Sequence, residues 1–220
     1  MESKELMTND LPQLSLHDSG NKAMQLMNEF RVFHLPILSR EDYIALVSED
    51  DILDWDTPED SFSHADFLTF RPAVNEQAHA YESLKIMRDF SLSILPVVNN
   101  QGKYLGAIKL ENIVHFLADN NEISESGAII VLEIGQNNYS LSEIARICES
   151  NNVTILGTSI KTIENTPLLH ITIKTNQTEI QHTVATFERY NYKIVKVYNA
   201  DDNNEDLNDN LKNLLNYINL

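Results

Sequence analysis

The feature that most constrains this chain is a repeat in its first half. The stretch "MNEFRVFHLPIL" (27–38) and the stretch "MRDFSLSILPVV" (87–98) share Met, an acid at the third position, Phe, Leu and Pro at an offset of 60. The same offset carries Pro12 onto Pro72, and an offset of 61 aligns "YIALVSEDDIL" (43–53) with "YLGAIKLENIV" (104–114). The one-residue difference falls between "SRED" and "NNQGK", which read as hairpin turns. Each copy has the same internal order: a lead-in segment with its proline, a helix, a short strand, a turn, a second strand and a last helix starting near Asp51 or Asn112. Ala23, Leu26, Met27 and Phe30 give the first long helix its apolar stripe, and Leu84, Met87 and Phe90 the second. A unit of about 50 residues is too small to bury its own apolar faces, so the two copies are expected to pack on each other.

The acids of "ALVSEDDIL" raise the functional question. Ser48, Glu49, Asp50 and Asp51 interrupt an apolar run between Val47 and Ile52. Three readings are open. An acid here caps free N–H groups at a helix start. Alternatively, a carboxylate with two acceptor oxygens grips a ligand that presents paired hydroxyl donors. The third reading is a divalent ion, although three adjacent acids on a strand-to-helix turn point in different directions.

The ordered motifs "LMTNDLPQL", "HLPIL" and "ALVSEDDI", repeated as "FLTFRPAV", "ILPVV" and "GAIKLENI", resemble the CBS domain, and two in tandem resemble a CBS pair, or Bateman module. The resemblance covers residues 5 to about 120. It implies that the hydroxyl and carboxylate of the strand-end motif face the cleft between the copies, with the carboxylate on a ribose. Ser48 and Asp51 match these positions, and Thr8 of the "MT" lead-in is a further candidate. The same resemblance lays an adenine ring against Leu35, Pro36 and Ile37. In the second copy Lys109 and Asn112 stand where Ser/Thr and Asp are expected, so at most one well-formed ribose site is expected. The implied ligand is AMP, ADP, ATP or S-adenosylmethionine. The implied assembly is a homodimer through the CBS domains.

From Gly127 the pattern changes to strand, helix, two strands, helix, strand. "SLSEIARICESN" carries Leu141, Ile144, Ala145 and Cys148 on one side, with Ser140 as cap and Glu143 at capping-box distance. "TEIQHTVATFERYN" aligns Ile180, Val184 and Phe187. This βαββαβ order is ferredoxin-like and resembles the ACT domain. The family's loop glycine is replaced near Ser140, leaving Asn137 and Asn138 as the polar loop residues. The expected class is therefore α+β: a CBS pair of two βαββα-type repeats (1–60 and 61–122), a ferredoxin-like ACT-like domain (127–199), and an acidic linker with a C-terminal helix (200–220). The combination is similar to bacterial acetoin-utilisation-type CBS proteins.

Charge and composition narrow the function classes. A net charge of −17 opposes binding to nucleic acid or anionic lipid, which draws on Lys and Arg at phosphates. No apolar run approaches the roughly 18 residues a membrane span needs. "MESKELMTND" has no leader-like pattern, and Cys148 is the sole cysteine, so a reducing cytoplasm is expected. Cys148 reads as a buried structural thiol. The seven histidines are scattered, with no metal-ligand spacing; His34, which precedes the "LP" strand, reads first as a surface or packed histidine, with lining the cleft as the alternative. The tail fails the EF-hand pattern, since Leu207 and Asn213 stand where Gly and Glu are required. The function expected is a non-catalytic regulatory protein that senses an adenine nucleotide or adenosyl compound and acts on an enzyme or transporter. The alternative is a structural protein with an empty CBS site acting through the ACT-like domain, with an amino acid as that domain's ligand.

Overall fold

Each repeat starts its long helix from a side-chain cap and ends it on a left-handed residue. The structure, a computed structural model, describes residues 1–199. Ahead of the first repeat, α1 (Ser3–Leu6) is a single turn; β1 (Leu14–Ser15) then leads into α2 (Gly20–Phe30). The Ser19 hydroxyl caps α2 by accepting from the Lys22 N–H, and Arg31 ends it at φ 54°. β2 (His34–Ser39), β3 (Asp42–Ser48) and the short α3 (Glu49–Leu53) complete the repeat. The second repeat follows the same plan: β4 (Val74–Asn75), α4 (Ala80–Asp89), β5 (Ile94–Val98), β6 (Tyr104–Lys109) and α5 (Leu110–Asn120). Ser91, the counterpart of Arg31, is also left-handed, at φ 52°. The turns differ by the extra residue: Arg40 takes the positive φ in one and Gly102 in the other.

Two three-stranded sheets result, β1-β2-β3 and β4-β5-β6. In each, the first strand runs parallel to the second and the third pairs antiparallel. Ala23, Met27, Leu35, Ile37, Ala45 and Val47 are buried in the first repeat, and Met87, Ile94, Leu95, Val97, Ala107 and Ile108 in the second. Phe90, expected on the core stripe, is instead 54% exposed. It sits one position past the end of α4, where the helical register no longer points inward.

The lead-in segments are exchanged between the repeats. Thr8 pairs with Ala107 of β6, through Thr8 N–H to Ala107 O at 2.9 Å and Ala107 N–H to Thr8 O at 3.2 Å. Ser3 also joins the second repeat, its hydroxyl 2.8 Å from that of Ser83 in a buried pair. Reciprocally, the Leu46 N–H of β3 donates to Phe70 O at 2.9 Å, and the Tyr43 hydroxyl donates to Pro72 O at 3.0 Å. Residues 2–8, assigned by sequence to the first repeat, thus lie on the second. Between the repeats, Trp55 stacks on Phe62 and meets Phe67 edge-on, so the linker is anchored. Close backbone approach explains Gly106: a Cβ there would lie 2.7 Å from Asn9 Oδ1 and 2.9 Å from Thr8 O.

The chain divides into two units, Met1–Phe116 and the part from Leu117 on. The second unit contains β7 (Ile129–Gly135), α6 (Leu141–Ser150), β8 (Ile155–Thr162), β9 (Leu168–Thr175), α7 (Gln181–Arg189) and β10 (Lys193–Tyr198). Its sheet has the order β10-β7-β9-β8 with antiparallel neighbours, which is the ferredoxin-like ACT-like layout. Ile130, Leu132, Ile171 and Ile173 alternate along the inner strands to meet Ile144, Ile147, Cys148 and Phe187 of the helices. Leu141 is 47% exposed, and Ile147 takes the buried place expected for it. Ser140 does cap α6, but the capping box does not close: the Glu143 carboxylate accepts instead from the Tyr192 hydroxyl at 2.8 Å. Cys148 is buried, which pushes its thiol up to about 11 and leaves it inert at neutral pH. The C-terminal helix expected from Leu207, Leu211, Leu214, Leu215 and Ile218 lies outside the described residues.

Candidate functional site: the cleft between the repeats

The register of β2 on β3 places His34 opposite Ser48, at the strand end where α3 begins. Ser48 is the N-cap. Its Oγ accepts the Asp51 N–H at 3.1 Å, while Asp51 Oδ2 accepts the Ser48 N–H at 2.8 Å and the Ser48 hydroxyl at 2.6 Å. The helix starts two residues before Asp51, which makes Asp51 the third helical residue and the closing member of a capping box. The capping reading therefore holds for this residue. It does not exhaust the carboxylate: among the described residues, Oδ1 has no protein hydrogen-bond partner.

These residues open on a cleft of about 440 Å³. The first repeat contributes Phe33, His34, Ser48, Glu49, Asp50 and Asp51; the second contributes Phe70, Phe90 and Ser91. Phe70 and Phe90 meet edge to face with ring centres 5.4 Å apart. Three phenylalanines, Phe33, Phe70 and Phe90, are 62%, 37% and 54% exposed around it. Exposed aromatic surface gathered in one concavity is the usual signature of a binding site rather than of a core. His34 ties the two repeats together behind the cleft. Its Nδ1 accepts the Ser93 N–H at 3.3 Å and lies 3.0 Å from Ser93 Oγ, which in turn accepts the Phe33 N–H at 2.9 Å. The ring proton therefore sits on Nε2. Burial holds the His34 pKa below its ordinary value, against the opposing pull of Asp51 and Asp50, and the imidazole is neutral.

The profile of the CBS domain family matches residues 4–57 and 65–119. The chain carries a tandem CBS domain pair. No curated protein matches it. Among solved structures it is similar to a CBS domain pair/ACT domain protein from Thermotoga maritima, at 21% identity and TM-score 0.47, over 54% of this chain and 98% of that one. CBSX2 in complex with AMP is similar at 22% identity and TM-score 0.47, over 54% and 96%. A protein named as an acetoin utilization protein (AcuB), from Vibrio cholerae, is similar at 23% identity and TM-score 0.47, over 56% and 95%.

Within this CBS pair the other residues singled out by sequence fall elsewhere. Leu35, Pro36 and Ile37 are buried in β2, with Leu35 and Ile37 fully so, and they do not line the cleft. The apolar walls come instead from Phe33, Phe70 and Phe90. Thr8 is carried to β6 by the exchange of lead-ins; its hydroxyl is used in a turn with Asp10. Phe70, from the lead-in of the second repeat, reaches the Ser48–Asp51 cleft. The signal for it was present in "FLTFRP", since the repeat aligned the two lead-ins, but the alignment does not say that they cross.

A second cleft, of about 510 Å³, occupies the equivalent position on the other copy of the CBS motif. Phe30, Arg31, Val32 and Phe33 face Ser93, Lys109, Leu110, Glu111 and Val114 there. The residues that match Ser48 and Asp51 are committed to the protein here. The Lys109 ammonium lies 3.3 Å from Glu111, and the Asn112 amide donates to Leu6 O at 2.7 Å. In the second unit, Asn137 and Asn138 lie in an exposed turn of 3-10 helix. Among the described residues, no group of three or more His, Cys, Asp or Glu side chains is placed to hold a metal ion, and no helix is long and apolar enough to cross a membrane.

Proposed function

We propose that this protein is a non-catalytic regulator whose CBS pair senses an adenosyl ligand in the Ser48–Asp51 cleft. One observation carries the reading: a carboxylate with a free oxygen at the end of one repeat faces exposed phenylalanines of the other across a cleft of ligand size. Asp51 accepts the ribose hydroxyls through Oδ1, and Phe33, Phe70 and Phe90 provide the apolar faces for the base. The CBS membership supports the adenosyl class, with AMP, ADP, ATP and S-adenosylmethionine as the candidates. Because such a ligand touches both repeats, it favours whichever packing of the repeats binds it better, and this is what a sensor requires. The regulated partner is an enzyme or a transporter, the assembly a homodimer through the CBS domains, and the location the cytoplasm.

The test is thermal unfolding with each of the four adenosyl compounds. A ligand present at 100 times its Kd stabilises the folded state by about 2.7 kcal/mol, a readily measured rise in midpoint. No rise with any of them at millimolar concentration contradicts the sensor reading and favours an empty CBS pair acting as a scaffold.

A further inference from the structure

We propose that the chain's own acidic tail, residues 200–220, docks on the open face of the second unit's sheet, held there by charge and by its leucine stripe. One face of that sheet packs on α6 and α7. Strand alternation puts Ile129, Val131 and Glu133 of β7 on the other face, with His170, Thr172 and Lys174 of β9. Lys161 of β8 stands opposite His170, and Lys193 and Lys196 of β10 stand opposite Glu133 and Val131. In a chain of net charge −17, the strand positions of this face thus hold four lysines and one acid. Glu133 answers one of them, Lys193, at 2.7 Å, and lies 3.4 Å from His170. Among the described residues, Lys161, Lys174 and Lys196 have no carboxylate partner; Lys174 donates to Gly127 O, and the Lys196 ammonium lies over the Tyr198 ring.

The same face offers an apolar receiver. A cavity of about 250 Å³ opens there, with Ile123, Ile129, Ser159, Thr172 and Lys174 in its walls. Proximity, charge and pattern select the tail as its occupant. Tyr198, the last residue of β10, pairs with Ile129, so the chain leaves the described residues one strand spacing, about 4.8 Å, from a wall of the cavity. The segment beyond carries Asp201, Asp202, Glu205, Asp206 and Asp209 against the single Lys212, which is the charge the lysine face lacks. Leu207, Leu211, Leu214, Leu215 and Ile218 follow at three-to-four-residue spacing and supply apolar side chains for the cavity. The same face of a second copy is a poor occupant, because sheet against sheet sets lysines against lysines.

Disulfide trapping in the full chain tests this, because Cys148 is buried and does not compete. The pair Ser159→Cys/Asn208→Cys joins the open face to the tail, and Glu188→Cys/Asn208→Cys joins the exposed side of α7 to it. At dilute protein and low salt, the first pair is expected to close within one chain about tenfold faster than the second or more, since docking raises the local concentration of the tail at the face. Adding Lys161→Glu/Lys196→Glu should slow the first pair by about threefold or more at low salt, and much less at high salt. Equal rates for the two pairs overturn the proposal, as does a first-pair rate that the lysine reversal leaves unchanged. A disulfide formed only between chains overturns it in favour of a partner copy's tail. Amide hydrogen exchange of the natural chain gives a second readout without substitution. Residues 205–218 should exchange about tenfold slower than a free peptide of that sequence. Exchange at the free-peptide rate overturns the proposal.

Discussion

The two clefts of the CBS pair are built from equivalent positions of one repeat and differ in what their polar groups are free to do. In the first, Asp51 closes a capping box with one oxygen and keeps the other. In the second, Asn112 spends its amide on Leu6 O, and Lys109 pairs with Glu111. The same strand-to-helix turn thus leaves a carboxylate oxygen free on one side and holds the exchanged lead-in on the other. A repeat makes two clefts available by geometry, and hydrogen-bond accounting separates the free carboxylate oxygen of one from the committed amide of the other.

The strongest way to break this comparison is to disturb the lead-in at the second repeat. Gly106→Val places a side chain against Thr8 O and Asn9 and should cost about 3 kcal/mol in denaturant unfolding. The equivalent first-repeat position, Ala45, already carries a Cβ, and Ala45→Gly should cost only about 1 kcal/mol. Equal losses at the two positions would mean that the lead-ins do not distinguish the repeats. Next in size is Asn112→Asp, which turns a donor to Leu6 O into an acceptor facing an acceptor. A loss of about 2 kcal/mol is expected, with no gain of a second ligand site in a titration. Ser48→Ala removes the cap of α3 and one of the two donors that hold Asp51, and should lower stability by about 1 kcal/mol while weakening adenosyl binding.

The smallest effect concerns pH. His34 has Ile94 as its counterpart, so only the first cleft has a titrating group in its wall at that position. With the folded pKa held below the ordinary 6.5, the unfolded chain binds more protons between the two values. This contribution to stability is fully present above pH 6.5 and is lost as pH falls from there through the folded pKa. His34→Gln should flatten stability over that window; an unchanged slope would assign it to another group.

Much of this comparison was legible in the sequence, and the part that was not has a physical reason. The offset of 60 to 61 identified both repeats, and "SEDD" against "KLEN" identified the unequal turns. Periodicity reports which face of an element is apolar, but not which segment crosses to which sheet. Thr8 was therefore placed with Ser48, although backbone pairing carries it to Ala107. Phe90 fitted a three-residue stripe, yet the stripe ends where α4 does. Leu35 and Ile37 were read as a ligand platform, and the parallel pairing of β1 on β2 helps to bury them. In the second unit the element order was readable, whereas the turn of Glu143 towards Tyr192 depends on a tertiary contact across 49 residues.

The most direct test of the account is a count of adenosyl ligands bound per chain by titration, for the natural sequence, Asp51→Ala and Asn112→Ala. The account predicts one ligand per chain, lost or weakened by about tenfold to a hundredfold in Asp51→Ala, in line with removal of a charged hydrogen-bond acceptor, and unchanged in Asn112→Ala. Binding that survives Asp51→Ala, or that disappears only with Asn112→Ala, would contradict it.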